Sequence, residues 1–401
     1  MAVAPGSAAR YPEAPRFLRI LYHHRVGSRD GQAVHIDELI HAFRTLGHEV
    51  VVVAPPGFER STLGGEPALF ASLKRFLPRA LFELVELSYN VPAYLRLRRA
   101  LRKIKPDLIY ERYGLFLIAG TLLGKRSSMP VFLEVNSPLV RERAEFGGLV
   151  LEPLARRLET WAWRQATRVL PVTGVLAGMV SAAGVLADRI TVIPNGIDPN
   201  RFPVYENSIA RKAALGLADK IVLGFAGFIR SWHGLDRVLD MLAQPGTPSR
   251  LHFHVVGDGP TRLELEQQAG RLGIRDRVTF AGLVDRDAVA SHVAAFDIAL
   301  QPKSVAYASP LKLFEYMALG KAIVAPDQPN IREILTDEAN ALLFDPDRPA
   351  AMTAAILRLA DDPALRERLG VAARSTISER QLTWRANAKR IIALAQTTTN
   401  C

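Results

Sequence analysis

Short runs of aliphatic and β-branched residues alternate with segments of helical periodicity along almost the whole chain. Residues 49–54 read EVVVVA, and in the segment before them, 33–46, apolar residues recur three and four positions apart. A continuous apolar run is typical of a strand that is buried on both faces, and two such strands joined by a helix form a parallel βαβ unit. The alternation therefore predicts an α/β protein built on parallel sheets.

The predicted strands form two groups. They lie at 17–22, 49–54, 106–110, 131–135, 169–173 and 190–193 in the first half, and at 221–226, 252–256, 278–280, 298–300 and 322–325 in the second. Prolines in the segment 194–219 mark the connection between the groups. The 401 residues suffice for two large α/β lobes. We therefore predict two successive doubly wound, Rossmann-like lobes.

Cysteine content and hydropathy indicate a cytoplasmic protein. The single cysteine is Cys401, so no intrachain disulfide can form, and a reducing compartment fits. The N-terminus lacks the basic start and apolar core of a secretory signal, and residues 1–15 are predicted to be a disordered lead. The most apolar stretch, 114–124, is far shorter than the roughly 20 residues of a membrane-spanning helix.

The charge balance calls for an anionic partner. Lys and Arg number 51 against 40 Asp and Glu, which gives a formal net charge of +11. The candidates are nucleic acid, an anionic membrane surface and a phosphorylated substrate. Nine basic residues, two acidic residues and many apolar residues lie in the window 73–105, as in basic amphipathic helices. A solvated helix face is the alternative for this window, and we favour a membrane-binding surface.

The loops that follow strands are the expected ligand sites, because helix N-termini at the carboxyl ends of parallel strands attract anions. The first such loop contains Gly31, which suits a close approach to a ligand and a plain βα turn equally well. The turn at Gly257–Gly259 lacks the third glycine of the dinucleotide fingerprint, which favours a structural role. Thr261 and Glu264 predict a capping box at the start of the next helix.

The loop GFIRSWHG places two basic side chains between a strand and a helix. Arg230 and His233 would lie together at the end of the strand and the start of the helix, where they could bind a diphosphate. A solvated arginine and a capping histidine are the alternative.

The segment SPLKLFEYMALGKAIVA combines a short helix with charged residues near its start. Ser309 is a good N-cap, Pro310 is a good first helical residue, and Gly320 is a good helix end. Lys312 and Glu315 are three apart and share one face of this helix. A lysine there is unfavourable unless an anion also binds, and the carboxylate can accept hydrogen bonds from sugar hydroxyls. An ordinary surface ion pair is the alternative, and we favour the ligand site.

Six segments, in this order along most of the chain, resemble glycosyltransferase family 4. They read LGHEVVVVAP, KPDLIYER, VIPNGIDPNRF, GFIRSWHG, VVGDGP followed by VTFAGLV, and SPLKLFEYMALGKAIVAP. The resemblance implies the two-lobed GT-B fold, in which the lobes face a cleft. It also implies transfer of a sugar from a nucleoside-diphosphate donor, with retention of configuration and without a required metal or other cofactor. Within the family, the chain looks closest to members that act on cell-surface polysaccharides.

The resemblance implies a catalytic set of four residues. Arg230 and His233 would bind the donor diphosphate. The family usually has lysine at position 233, and a histidine there would make the affinity depend on pH near 7. Glu315 matches the second glutamate of the family's E-x7-E motif and would hold the ribose hydroxyls. Tyr307 stands in place of the first glutamate, and it can hydrogen-bond a sugar but cannot carry a carboxylate's charge.

Other residues are implied to line the donor and acceptor sites. The donor, a UDP- or GDP-linked sugar, would also contact Gly31, Gly227, Gly282, Leu283, Val284, Ser309, Pro310, Leu311 and Lys312. In this set the backbone near Lys312 and Gly31 of the other lobe would meet the phosphates, and the turn at Gly282 would flank the base. Asn136 and Glu134 are weaker candidates for contact with the acceptor.

The expected domains are an acceptor-binding lobe at 16–198, a nucleotide-sugar-binding lobe at 199–380, and a last helix at 381–401 that returns to the first lobe and ends in a frayed tail. We expect a peripheral protein on the inner face of the membrane that glycosylates a glycan or lipid-linked acceptor and binds no nucleic acid. A nucleotide-sugar isomerase or a catalytically silent binding module is the nearer alternative, because either would share the donor site. A basic nucleic-acid-binding protein is the distant one, since no zinc-finger, RRM or basic-zipper pattern occurs.

Overall fold

The computed structural model of the protein describes residues 17–27, 31–55, 77–203 and 208–399. Several predictions fall outside these residues. They are the disordered lead at 1–15, positions 28–30 of the first loop, positions 73–76 of the basic window, and the chain end at 400–401.

The N-terminal lobe is built on a five-stranded parallel sheet. Its strands are β1 (Arg19–His23), β2 (Glu49–Val53), β3 (Leu108–Arg112), β4 (Val131–Val135) and β5 (Arg168–Pro171), in the spatial order β2-β1-β3-β4-β5. In register, Ile20 lies opposite both Val50 and Leu108. The central strands β3 and β4 are buried along their whole length, in agreement with their largely apolar sequences.

The C-terminal lobe is built on a six-stranded parallel sheet. Its strands are β6 (Ile221–Ala226), β7 (Leu251–Val256), β8 (Val278–Gly282), β9 (Ile298–Leu300), β10 (Ala322–Pro326) and β11 (Leu342–Phe344), in the spatial order β11-β10-β9-β6-β7-β8. Successive residues of β6 enter different apolar cores: Leu223 and Phe225 pack on one face, and Val222 and Ala226 pack on the other. The sheet is therefore covered on both faces, as the continuous apolar strands predict.

Helices connect the strands of both sheets. In the N-terminal lobe they are α1 (Gly31–Thr45), α2 (Arg79–Ser88), α3 (Asn90–Ile104), α4 (Ala119–Ser127), α5 (Leu139–Phe146), α6 (Glu152–Gln165) and α7 (Gly174–Ala182). In the rest of the described chain they are α8 (Ser208–Ala214), α9 (Leu235–Ala243), α10 (Arg262–Arg271), α11 (Arg286–Ala294), α12 (Leu311–Ala318), α13 (Pro329–Arg332), α14 (Pro349–Asp361), α15 (Pro363–Glu379) and α16 (Trp384–Thr399). The two predicted doubly wound lobes are confirmed.

The chain crosses between the lobes twice, and the two crossings run side by side. Ile197 donates its N–H to Leu382 at 3.1 Å and accepts the N–H of Trp384 at 3.3 Å. A side chain at Gly196 would lie 2.7 Å from the backbone of Thr383, so only glycine permits this approach. After the second crossing, α16 packs Ala388, Ile391 and Ile392 into the core that α1 helps to form. We therefore propose that the lobes divide at this double crossing.

Some local predictions are wrong. Residues 190–193 form no strand: Ile190 is joined to Val169 by an isolated bridge, and Thr191 and Ile193 each donate one backbone hydrogen bond to β5. The predicted capping box at Thr261 is absent, because its side chain caps nothing and its buried hydroxyl has no partner among the described residues. Strand β11, Leu342–Phe344, is not among the predicted strands.

Candidate active site

A lysine at the start of α12 and a histidine from the segment after β6 meet in the C-terminal lobe. Nζ of Lys312, in the first turn of α12, lies 3.4 Å from Nε2 of His233. The same ammonium lies 4.3 Å from the ring centroid of Phe225, near the end of β6. A cation over an aromatic face is favourable, so Phe225 helps to hold Lys312 in this direction.

Arg230 is the third basic residue of this group. Its backbone N–H donates to Nδ1 of His233 at 3.3 Å. Its guanidinium lies 4.7 Å from the ring centroid of Phe228 and 4.9 Å from that of Trp232. The structure thus brings Arg230, His233 and Lys312 together, and it surrounds them with aromatic rings.

Burial makes the group electrostatically unusual. Loss of hydration lowers the pKa of Lys312 to about 8, and the nearby carboxylate of Glu315 opposes this shift. Loss of hydration, followed by the charges of Lys312 and Arg230, lowers the pKa of His233 to about 2. His233 is therefore neutral at pH 7, and the predicted pH dependence through its titration near pH 7 is wrong. Of these two side chains, Lys312 is the one with the pKa nearer to neutral pH.

The protons of this pair point to an anion site. A neutral His233 whose Nδ1 accepts a hydrogen bond carries its proton on Nε2. The Nε2–H and the ammonium of Lys312 then both donate toward the same space. An anionic oxygen that lies to one side of both nitrogen atoms, within hydrogen-bond distance of each, would accept from both donors, and a phosphate offers such an oxygen.

Three glycines allow the loops around this group to pack closely. A side chain at Gly227, where φ is +135°, would approach Cε of Lys312 to 3.2 Å. Side chains at Gly257 and Gly259 would lie 2.1 Å from the carbonyl oxygens of Gly227 and Ile229. The turn Gly257–Gly259 therefore supports the loop that carries Arg230.

A chain of hydrogen bonds holds the residues just before α12. Ser309 is not the N-cap, because the helix begins at Leu311 after an extended Pro310. Instead, Oγ of Ser309 accepts the N–H of Asn195 at 3.3 Å, and Nδ2 of Asn195 donates to the carbonyl oxygen of Ser309 at 2.6 Å. Oδ1 of Asn195 in turn lies 2.7 Å from Nδ1 of His35. The interlobe crossing thus fixes the start of α12 relative to α1.

Glu134 is the other end of this chain. Its Oε2 lies 3.0 Å from Nε2 of His35 and accepts the hydroxyl proton of Tyr110 at 2.8 Å. Its Oε1 pairs with Arg112 and accepts a hydrogen bond from Asn136 at 2.5 Å. Burial raises the pKa of Glu134, but the charges of His35 and Arg112 outweigh burial and hold it well below its usual range.

Glu134 does not fit the predicted contact with an acceptor. A carboxylate offers about four acceptor positions, and four donors occupy them. The side chain is 2% exposed. Asn136 is half-buried beside it and stays a prediction.

Tyr307 is held by the other lobe. Its hydroxyl donates to Oε2 of Glu142, in α5, at 3.1 Å, and its carbonyl oxygen accepts the hydroxyl proton of Thr173 at 3.0 Å. Burial, followed by the charge of Glu142, raises the pKa of Tyr307, so the phenol stays neutral and acts as a donor. The carboxylate of Glu142 therefore lies beside Tyr307, the residue that stands in place of the family's first glutamate.

Glu315 lies in the wall of a cavity between the lobes. Other residues of the wall are Glu38, Arg201, Val289, Leu311 and Trp384. A side chain at Gly31 would lie 3.6 Å from Cδ1 of Leu311, so the starts of α1 and α12 adjoin across the cleft. Helix N-termini carry partial positive charge, which adds to the attraction for an anion.

The turn after β8 exposes an apolar side chain. Gly282 has a φ of +73°, Leu283 is 55% exposed, and Val284 packs against the core of the C-terminal lobe.

A shallow depression of about 350 Å³ is larger than the cavity between the lobes. Its wall includes Thr336 and Arg380 and contains none of the predicted site residues.

Sequence reasoning missed several residues of the site. Asn195 lies in the segment VIPNGIDPNRF and Trp232 in GFIRSWHG, and both segments are among those that resemble the family. His35 is part of the periodic pattern of α1. Glu142 lies on an ordinary charged helix, and no signal in the sequence marks it.

The arrangement is suited to binding a diphosphate and stabilising charge on it. The ammonium of Lys312 and the neutral imidazole of His233 lie together at the first turn of α12, and the charge of Arg230 is near enough to lower the pKa of His233. Among the described residues, no group of three or more His, Cys, Asp or Glu side chains could hold a metal ion.

Comparisons with known proteins agree with this geometry. The sequence model of Glycosyltransferase Family 4 matches residues 29–201, and that of Glycosyl transferases group 1 matches residues 208–376. The crystal structure of Anabaena Alr3699/HepE, solved in complex with UDP and with UDP-glucose, superposes with a TM-score of 0.75 for the UDP complex. That comparison covers 96% of this chain and all of the other, at 20% identity.

Two relatives found by sequence have a higher identity to this chain than the Anabaena protein has, but the similarity covers a smaller part of their length. The 2-deoxystreptamine glucosyltransferase of Streptomyces kanamyceticus is 28% identical over 255 residues, which are 62% of this chain and 66% of the relative. The D-inositol 3-phosphate glycosyltransferase of Geodermatophilus obscurus is 32% identical over 282 residues, which are 67% of this chain and 62% of the relative. The chain thus spans less than two thirds of the length of these relatives. Together, the two family models and the two-lobed fold show that the chain belongs to the family 4-like glycosyltransferases of the GT-B fold.

Proposed function

We propose that the protein is a retaining glycosyltransferase that moves a sugar from a nucleoside-diphosphate sugar to a glycan or lipid-linked acceptor in cell-surface polysaccharide synthesis. The observation that carries this proposal is the convergence of Lys312 and His233 on one space beside Arg230. An anion with several oxygens can accept hydrogen bonds from these donors, and a diphosphate is such an anion. Retention of configuration rests on the family resemblance.

The donor is proposed to be a uridine nucleotide sugar. Support comes from the superposable Anabaena structure, which was solved with UDP and with UDP-glucose. In this chain the nucleoside would occupy the cavity between the lobes, with its ribose hydroxyls on Glu315. The base would lie beside Leu283 and Val284, and Gly31 would face the diphosphate.

The proposed reaction leaves little acid–base work to the protein. The bond between the anomeric carbon and the phosphate oxygen breaks, and the acceptor oxygen bonds to that carbon on the same face of the sugar. The acceptor's proton passes to the leaving phosphate. Arg230, Lys312 and the Nε2–H of His233 stabilise the negative charge that develops on this phosphate.

The test is sugar transfer from a panel of UDP- and GDP-linked sugars to lipid-linked acceptors. We expect release of nucleoside diphosphate that requires the acceptor, and a product with the donor's anomeric configuration in its NMR spectrum. Activity should persist in excess EDTA. Epimerisation of the donor without transfer would indicate an isomerase, and binding without turnover would indicate a silent binding module.

We also propose that α2 and α3 bind an anionic membrane surface. Four exposed or half-exposed residues of α3 recur with helical spacing on one side, namely Val91, Leu95, Arg98 and Arg102. The two acidic residues of α2 do not oppose these charges at the surface, because both are buried. Glu83 accepts hydrogen bonds from the backbone of Val150 and Leu151, and Glu86 pairs with arginines.

The exposed surface of these helices is therefore more basic than the composition suggests. None of the described helices combines the length and the hydropathy of a membrane span. Leu81, Leu84 and Leu95 are each between 45% and 49% exposed, which suits shallow insertion among lipid headgroups.

Vesicle binding tests this surface. The double variant Arg98→Glu/Arg102→Glu should bind vesicles that contain phosphatidylglycerol at least about tenfold more weakly than the native protein, because each basic residue near the surface contributes about 1 kcal/mol. Arg385→Glu/Lys389→Glu makes the same charge change on exposed positions of α16 and should bind like the native protein. Binding by the native protein that does not weaken with salt would contradict the electrostatic proposal.

A further inference from the structure

One face of α5 spans the two loops of the C-terminal lobe that carry the proposed donor contacts. Glu142 and Phe146 are four residues apart and therefore share this face. Glu142 accepts the hydroxyl proton of Tyr307 at 3.1 Å, and the ring of Phe146 lies 5.6 Å from that of Trp232. The helix thus belongs to the N-terminal lobe but faces the donor side of the cleft.

The rest of α5 is firmly held. Val140 is fully buried in a small core with Phe116 and Ala155. Arg143 pairs with Glu86 of α2 at 3.0 Å. These contacts place the opposite face of the helix, and with it Glu142, at a defined position in the cleft.

One oxygen atom of the Glu142 carboxylate, Oε1, does not contact the hydroxyl of Tyr307. Tyr307 has one hydroxyl proton, and it goes to Oε2. Within the described ranges, Oε1 accepts no hydrogen bond, and the side chain is half-exposed. A group with hydroxyl donors in the cleft would therefore find a charged acceptor oxygen beside Tyr307.

We propose that Glu142 binds a hydroxyl of the donor's sugar, and that the N-terminal lobe thereby supplies the carboxylate that position 307 lacks. The inference rests on the proposed function. The sugar hydroxyl donates to Oε1, while Tyr307 orients the carboxylate through Oε2. Because α5 and Tyr307 belong to different lobes, this contact with the sugar exists only while the lobes are closed.

The experiment compares the affinity for a nucleotide sugar with the affinity for the free nucleoside diphosphate, so the contribution of the sugar is measured separately. Calorimetry gives the affinity of the native protein for the free nucleotides UDP and GDP. It also gives the affinity for four donors, which are UDP-glucose, UDP-galactose, UDP-N-acetylglucosamine and GDP-mannose. The sugar that adds most affinity to the native protein is then used with the variants. Glu142→Gln should lose about 10- to 100-fold in affinity for that donor and in its kcat/KM, because a hydrogen bond to a charged acceptor is removed. Its affinity for the free nucleoside diphosphate should stay within about threefold.

Two variants test whether the effect is specific. Glu145→Gln makes the same charge change on α5 at an exposed position and should match the native protein in both affinities. Tyr307→Phe removes the interlobe hydrogen bond but keeps the carboxylate, so its loss should be smaller than that of Glu142→Gln. Thermal unfolding shows whether each variant is folded.

The outcomes distinguish the inference from the function on which it rests. If Glu142→Gln weakens free nucleotide and nucleotide sugar equally, or if it and Tyr307→Phe lose the same amount, the contact is only a latch between the lobes and the inference fails. If Glu142→Gln transfers sugar like the native protein, the inference fails while the proposed function stands. If the native protein gains no affinity from any sugar and transfers none, both fail.

Discussion

The ammonium of Lys312 lies 3.4 Å from Nε2 of His233, a nitrogen that carries a proton at neutral pH. Two donors at this distance do not form a hydrogen bond with each other, so both are available to an acceptor that lies beside the pair. The pair is therefore suited to bind an anion, and the affinity for that anion should depend on pH through the charge of Lys312.

Removing the charge of Lys312 should weaken nucleotide binding. Lys312→Met keeps the length of the side chain, and we expect about a 10- to 100-fold lower affinity for UDP in calorimetry at pH 7. In the native protein, affinity should fall as pH rises above about 8, because the ammonium then loses its proton. The variant should not show this fall.

A matched control exists on another helix boundary. Burial also lowers the pKa of Lys321 to about 8, but its ammonium donates to the carbonyl oxygen of Ala294 instead. Lys321→Met should keep the native dependence of affinity on pH. A dependence in Lys312→Met equal to the native one would assign the titration to another group.

Replacing Glu315 should remove recognition of the ribose. The native protein should bind UDP more tightly than 2′,3′-dideoxy-UDP, and Glu315→Ala should bind UDP about 10- to 100-fold more weakly and no longer distinguish the two. Glu367→Ala, on an exposed position of α15, is the control. An undiminished preference for UDP in Glu315→Ala would exclude Glu315 from the nucleoside site.

The buried contact between His35 and Asn195 should contribute to stability. Nδ1 of His35 lies 2.7 Å from Oδ1 of Asn195, and Nε2 lies 3.0 Å from Oε2 of Glu134. His35→Ala leaves the buried Glu134 with one partner fewer, and we expect about 3 kcal/mol less free energy of unfolding in urea. Asn195→Ala breaks the same contact, so the double variant should lose clearly less than the sum of the single losses. Additive losses would show that the two side chains act independently.

Acid should destabilise the C-terminal lobe through stacked histidines. Nε2 of His254 lies 3.0 Å from Nδ1 of His292, and burial, followed by the charge of His292, lowers the pKa of His254 to about 4. The unfolded chain takes up this proton near pH 6.5, whereas the folded chain resists until about pH 4. The free energy of unfolding should therefore fall between about pH 6.5 and 4, by about 3 kcal/mol from this residue.

A replacement at His254 checks that expectation. His254→Gln should have a shallower loss of stability over the same pH range in urea denaturation. His41→Gln, on the exposed side of α1, should keep the native slope. Equal slopes for all three proteins would assign the acid sensitivity to other groups.

Much of the fold could be predicted from the sequence because its signals are local. The run IVLGFA predicts β6 to the residue, since six consecutive apolar positions fit a strand that is covered on both sides. The run at 190–193 shows the limit of this reasoning. It has the composition of a strand, and Thr191 and Ile193 donate their N–H groups to the carbonyl oxygens of Val169 and Pro171 in β5. Pro194 follows directly and has no N–H to donate, so the pairing ends there and no strand is formed.

The loops of the site were also local predictions. Arg230, His233 and Lys312 lie next to strand ends and helix starts, and in an α/β sheet such positions meet at one edge. The charge states of these residues could not be predicted in the same way. Burial beside other cations leaves His233 neutral at pH 7, and burial depends on parts of the chain that are distant in sequence.

By itself, then, the sequence determined two parallel sheets, the strand-end loops that form the anion site, and a resemblance to one enzyme family. Only the tertiary structure decided which partners the acidic residues have. Glu134 is enclosed by four donors, whereas Glu142 meets Tyr307 from 165 residues away. Periodicity reports whether a residue faces a core, because every turn or pleat repeats that environment. A single contact between side chains that are distant in sequence does not recur along the chain, so it produces no periodic pattern from which it could be predicted.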